Sequence, residues 1–166
     1  LSVLAEADAV AALNATLRKH GIAGDLVAGG SYTFDLWPTE IARHVSPGSW
    51  TYSSAQHDLE LGSLGWQGAA FVLATVISSH DGTITLDAGA KAIAPDKPVK
   101  QRFRSDGEVV LMSEEHTVVR ADGICVGDRV LLFPQHACTT AYLYDRALVC
   151  TADGDWEFRP QLGSVR

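Results

Sequence analysis

The pattern that most limits how this chain can fold begins at residue 70. From there to residue 160 the sequence is cut into apolar runs of five to ten residues: AFVLATVISS (70–79), TITLDAG (83–89), EVVLMS (108–113), TVVRA (117–121), RVLLFP (129–134), ALVCTA (147–152) and DWEFRP (155–160). Several are parted by HDG, ADG or ADGD, and Asp-Gly readily takes up the positive φ angles of a tight hairpin turn. Runs this short and this regularly spaced predict strands that fold back on one another, as an antiparallel β-barrel or sandwich.

The first 47 residues read differently. Leu4, Val10, Leu13 and Leu17 fall roughly on one face of a helix from about Leu4 to His20, and Gly21 is a natural stop. DLVAGGSYTF then reads as a short strand opening into Gly29-Gly30-Ser31. The change of pattern at VSPGSW puts a boundary near Pro47, between a small α/β piece (1–47) and a β-domain (48–166). One helix and one strand cannot form a self-sufficient doubly wound domain, and the first residue is Leu, not Met. The expectation is therefore a mainly β chain with a small α/β remnant, a fragment of something longer.

Composition narrows the partners. Apolar residues make up 46% and charged residues 20%, as in an ordinary globular chain. A net charge of −7 opposes nucleic acid or an anionic membrane as the main partner. The opening LSVLAEADAVAALNATLRKH mixes acids, bases and Asn through its apolar positions, unlike a membrane span or a secretory leader. Cysteines at 125, 138 and 150 are odd in number and irregularly spaced, which argues against a disulfide framework and for a reduced, cytoplasmic protein.

FPQHACTT (133–140) places an imidazole, His136, and a thiol, Cys138, two residues apart. A strand carried through this stretch would point both from one face with Cα atoms about 6.5–7 Å apart. Two such side chains can share a zinc ion, which accepts nitrogen at about 2.0–2.1 Å and thiolate sulfur at about 2.3 Å. A buried Cys beside a hydrogen-bonded His fits the spacing equally well. Gly29-Gly30-Ser31 is open in the same way, since backbone N–H groups can converge there on an anion or the glycines can simply turn the chain. Asp87-Ala-Gly-Ala-Lys91 and Ser113-Glu-Glu-His116 have the composition of solvated turns. No GxSxG elbow, phosphate-binding Walker loop, HExxH or CxxC pair occurs.

Taken in order, VAGGS, ATVISSHDGTITLDAGAK, LMSEEH and GDRVLLFPQHACTTAYLYDR resemble the C-terminal part of the D-serine dehydratase and D-threonine aldolase family, over roughly residues 24–146. These are pyridoxal-phosphate enzymes of the alanine-racemase-like fold, with an N-terminal (β/α)8 barrel and a C-terminal β-domain. The resemblance implies that Gly29, Gly30 and Ser31 hold the cofactor phosphate after the last barrel strand, and that His136 and Cys138 are the two protein ligands of the active-site metal. It matches Asp87, Gly89 and Lys91 to the family's DAG-x-K turn, and Glu114, Glu115 and His116 to its SEEH turn, with shaping of a dimeric active site as their expected part. Trp50 and Ser54 stand where the family often has Tyr and, four residues later, Asp. Thr139 replaces a common Pro, and FRPQLGSVR matches poorly.

In that family a lysine on the first barrel strand holds the cofactor as a Schiff base, the ring acts as an electron sink, and the metal binds the substrate's β-hydroxyl as a Lewis acid. The four lysines here, 19, 91, 97 and 100, lie at none of the matching positions, so the resemblance assigns no catalytic residue within this chain. Aldolase members tend to carry His-x-Asp where this chain has His-x-Cys. Thiolate is a soft ligand that favours zinc, so the pair implies β-elimination of water from a D-3-hydroxyamino acid, giving a 2-oxo acid and ammonia. Aldol cleavage, racemisation and a non-catalytic β-barrel module are the alternatives. A homodimer is the family's expectation.

Overall fold

The computed structural model describes residues 3–162. The chain divides between Thr51 and Tyr52 into two compact units.

In the first unit, helix α1 (Val3–Lys19) carries Glu6 in its first turn and Arg18 and Lys19 in its last, charges that complement the helix dipole. It ends in a Schellman arrangement: Gly21 takes a φ of +78°, its N–H donates to Arg18 O, and the N–H of Ile22 reaches Leu17 O. The apolar stripe is narrower than its periodicity predicts. Ala7 is buried and Val10 and Leu17 are half-buried, but Leu13 is 57% exposed; the Leu4 side chain lies outside the described residues. Strand β1 (Val27–Gly29) pairs in parallel with β2 (His44–Ser46), a strand the sequence pattern does not reveal.

The second unit opens with helix α2 (Ala55–Leu61) and a 3-10 turn (Gly62–Leu64). Six strands follow: β3 (Val72–His80), β4 (Thr83–Leu86), β5 (Phe103–Arg104), β6 (Glu108–Met112), β7 (Thr117–Arg120) and β8 (Arg129–Pro134). They form one curled half-barrel sheet in the order β5-β8-β3-β4-β7-β6, with every neighbouring pair antiparallel. The mainly antiparallel β architecture read from the sequence is the one observed. Period-2 alternation builds its core: Val72, Ala74 and Val76 on β3 meet Ile84 and Leu86 on β4, Val119 on β7 and Leu132 on β8. Phe103 and Ile93 close it. Beyond β8 come the short helix α3 (Ala137–Ala141) and strands β9 (Arg146–Cys150) and β10 (Trp156–Pro160). The last two pair only with each other and stay outside the six-stranded sheet. Their large apolar side chains find no core: Trp156 and Phe158 are about two-thirds exposed.

Candidate functional site

Strand β8 delivers the site. Its last residue, Pro134, pairs with Phe103, and Gln135 N–H then donates to Arg102 O at 2.8 Å. There the extended run stops. His136 (φ −130°, ψ 102°) is the N-cap residue of α3, and Cys138 lies one residue inside that helix. The expected strand through His136 and Cys138 is therefore incorrect, and two hydroxyls show why. Thr140 Oγ1 donates to His136 O at 3.0 Å and Thr139 Oγ1 lies 3.4 Å from the same oxygen, side-chain bonds that favour a turn over a sheet ladder. Both His136 and Cys138 remain half-buried, so a small ligand can reach them.

A third residue, missed at the level of sequence, completes the surroundings. Asp96 Oδ2 contacts His136 Nδ1 and accepts from Thr139 Oγ1 at 2.8 Å. Burial works against the Asp96 carboxylate, but the bonds from Thr139 and His136 outweigh it and hold the group below the usual carboxylate range. Asp96 reaches this position because the segment 88–96 is strapped to α3 and its flank. Tyr144 Oη donates to Ala92 O at 2.9 Å, and Ala94 N–H points to Thr140 Oγ1 at 3.4 Å.

The same segment explains the two charged turns. Ala90 N–H donates to Ser113 O at 2.9 Å and Lys91 N–H to Glu114 O at 3.0 Å, while Thr117 Oγ1 donates to Ala88 O at 2.6 Å. A Cβ built on Gly89 would sit 2.5–2.6 Å from the backbone of Glu114, Glu115 and His116, so only glycine allows this approach. Lys91 Nζ adds ion pairs to Glu115 at 2.6 Å and Glu114 at 3.1 Å, which raise its pKa. Asp87 also has a structural part: its carboxylate accepts from Thr75 N–H at 2.6 Å, next to the register shift in β3. The DAG-x-K and SEEH turns thus form one clasp at the root of the strap that carries Asp96.

Helix α2 brings a second imidazole near the first. Ser54 caps the helix through its Oγ, which accepts from His57 N–H and lies 2.8 Å from His57 Nδ1. The buried His57 ring stacks on Trp66 with centroids 4.9 Å apart. Burial lowers its pKa; Glu60 opposes the shift, and His136 lies close enough to add to it. Among the described residues, no group of three or more His, Cys, Asp and Glu is placed to hold a metal ion by itself.

In the first unit, Gly29 ends β1 and Gly30 turns the chain at a φ of +97°, a conformation that favours glycine. Thr33 fastens the turn, its Oγ1 donating to Gly29 O at 2.9 Å and its N–H to Gly30 O at 3.3 Å. Ser31 Oγ accepts from Ser49 N–H at 3.3 Å, which ties the loop to the segment after β2. The backbone at Gly29 and Gly30 is exposed and Ser31 half-buried.

A curled antiparallel β-domain with a half-buried His-x-Cys turn defines the class. Residues 69–150 match the family described as the putative serine dehydratase domain, and this match, with the solved structures below, supports the D-serine dehydratase and D-threonine aldolase family, C-terminal portion. Solved structures share the fold. The D-threonine aldolase of Filomicrobium marinum aligns at a TM-score of 0.68 and 22% identity over 93% of this chain and 45% of its own. An alanine-racemase-like protein of Idiomarina loihiensis gives 0.68 and 20% over 87% and 46%. The D-threo-3-hydroxyaspartate dehydratase of Delftia sp. HT23 gives 0.64 and 22% over 88% and 46%. That dehydratase was also solved with a His and with a Cys two positions further on each replaced by Ala, the Cys variant in a metal-free form. The chain spans about half the length of these structures. No curated protein matches its sequence. No helix among the described residues is long and apolar enough to cross a membrane.

Proposed function

We propose that this chain supplies the metal-binding domain of a pyridoxal-phosphate- and divalent-metal-dependent lyase acting on D-3-hydroxyamino acids, and that the reaction is β-elimination of water to a 2-oxo acid and ammonia. The observation that carries the reading is the His136–Cys138 turn, half-buried, with Asp96 on one nitrogen of His136. The donor set fits the metal. A carboxylate on Nδ1 leaves Nε2 as the ligating nitrogen, and Cys138 adds a soft sulfur, a pairing that suits zinc. Two protein ligands also leave coordination positions for water or substrate, as a catalytic site requires. The D-threo-3-hydroxyaspartate dehydratase solved separately with a His and with a Cys replaced by Ala, the Cys variant metal-free, supports the same assignment.

The cofactor's phosphate suits the Gly29-Gly30-Ser31 turn, whose exposed glycine backbone lets an anion approach the main chain. On this reading residues 1–47 are the last part of a (β/α)8 cofactor-binding barrel and residues 48–166 are the domain that brings the metal. When bound, the metal supplies a Lewis acid at the substrate's β-hydroxyl and the cofactor an electron sink at Cα. His136 and Cys138 hold and orient that Lewis acid, and the clasp of Gly89 against Glu114–His116 keeps the strap behind them in place. Lys91 and Lys100 lie at none of the positions that match the family's cofactor lysine, and both are ion-paired at the surface with Glu114, Glu115 and Glu108. That role falls to a part of the family's fold that this chain does not span. The three cysteines form no disulfide, which suits a reducing, cytoplasmic setting, and the assembly is a homodimer.

The test feeds D-serine and D-threonine separately to the full-length protein and follows pyruvate, 2-oxobutyrate and glycine. Pyruvate and 2-oxobutyrate are the expected products. Glycine with acetaldehyde as the main products from D-threonine refutes the dehydratase and favours the second reading, aldol cleavage, to which the fold shared with the Filomicrobium aldolase points.

A further inference from the structure

We propose that Asp96 is the positioning carboxylate of His136: it fixes Nδ1 as the protonated nitrogen and so leaves the lone pair of Nε2 for the metal. This rests on the metal reading above but adds a residue to it, from a segment 40 residues away in sequence. Three observations carry it. The contact is made by Nδ1, the ring nitrogen nearer the backbone, which leaves the outer nitrogen to reach a ligand. The accepting oxygen, Oδ2, is itself held by Thr139 Oγ1 at 2.8 Å, so the carboxylate is aimed and does not swing as a lone surface side chain would. Finally, the backbone that bears Asp96 is pinned to the helix it serves through Ala94 to Thr140, and to the segment just beyond that helix through Ala92 to Tyr144. An isolated ion pair with this much exposure contributes little to stability. A histidine that ligates a metal, however, gains from a second-sphere acceptor that sets its tautomer and ring orientation, and loss of such a partner costs about 10–100-fold in affinity.

Thr139 acquires a purpose by the same logic. A proline in its place has no hydroxyl with which to hold Oδ2, so in this chain the aim of Asp96 depends on residue 139.

The experiment measures zinc affinity of the full-length protein by competition with a chromogenic chelator, for the wild type and for His136→Ala, Cys138→Ala, Asp96→Asn, Asp96→Ala and Thr139→Val. In parallel, long-range 1H–15N spectra of histidine-labelled, metal-free protein report which nitrogen of His136 carries the proton. Expected are a loss of zinc binding in the His136 and Cys138 variants and a fall of about 10–100-fold in Asp96→Ala. Smaller falls are expected for Asp96→Asn and Thr139→Val. The His136 ring should be protonated on Nδ1 in the wild type and shift towards the Nε2–H form in Asp96→Ala, with unchanged circular dichroism. If zinc binding needs His136 and Cys138 but is untouched in Asp96→Ala, or if the tautomer does not move, the positioning role is overturned while the metal site stands. If His136→Ala and Cys138→Ala bind zinc like the wild type, the metal reading itself falls and this inference with it.

Discussion

Replacing Gly89 by Ala tests whether the clasp is as tight as its geometry states. The added Cβ would lie 2.5 Å from His116 N, 2.6 Å from Glu114 O and 2.6 Å from Glu115 C, all backbone atoms that cannot rotate away. To reach ordinary contact at 3.4 Å the two turns must part by about 0.9 Å. That separation stretches the Ala90–Ser113 and Lys91–Glu114 backbone bonds, now 2.9 and 3.0 Å, past a useful length. Two such bonds at about 0.5–1.5 kcal/mol each, with about 1–3 kcal/mol for overpacking, give a loss of roughly 2–6 kcal/mol. The Lys91 ion pairs add little, because lysine and both glutamates are largely exposed. Urea unfolding followed by circular dichroism measures the loss. Gly62→Ala is the control, since its backbone is helical and nothing lies within 4 Å of the new methyl. It should stabilise by about 0.4–1 kcal/mol through the unfolded chain. A Gly89→Ala protein within about 0.5 kcal/mol of the wild type refutes the clasp, because two broken backbone bonds alone exceed that figure.

Leu132 is fully buried at the centre of the β8 contribution to the core, and Leu132→Ala should cost about 2–5 kcal/mol in the same unfolding assay. His57 makes the fold acid-sensitive. Its folded pKa is depressed by burial, so the unfolded chain binds a proton that the folded chain refuses. The stability His57 confers is therefore complete above about pH 6.5 and lost as pH falls through its lower folded pKa; His57→Gln should flatten the stability–pH curve in that window. Cys138→Asp exchanges a soft ligand for a hard one, and competition titrations should show the preference moving from zinc towards manganese. Light scattering of the full-length protein should give a dimer; a strict monomer contradicts the proposed assembly.

How much of this was readable in advance depends on the range of the forces involved. Five of the six sheet strands announce themselves because alternation and Asp-Gly turns are local signals, and β8 ends at Pro134 as its apolar run does; the two-residue β5 (Phe103–Arg104) is too short to show a period. Helix α2 left a local signal as well, Ser54 ahead of AQHDLEL, but seven residues are too few for a helical period to stand out. The departure from strand to helix at His136 is subtler. It is set by Thr139 and Thr140 folding back on a carbonyl, a side-chain preference that a five-residue helix cannot display as periodicity. Asp96 leaves no local trace, since APDKP has the composition of any loop and its carboxylate matters only through a partner 40 residues on. The DAG-x-K and SEEH turns are the informative intermediate case. Both are legible as turns, yet the reason for their composition is mutual: the glycine of one is the space occupied by the backbone of the other. A turn that must be glycine because another turn lies against it fixes where the following strap begins, and here that strap is the one that carries Asp96 to His136.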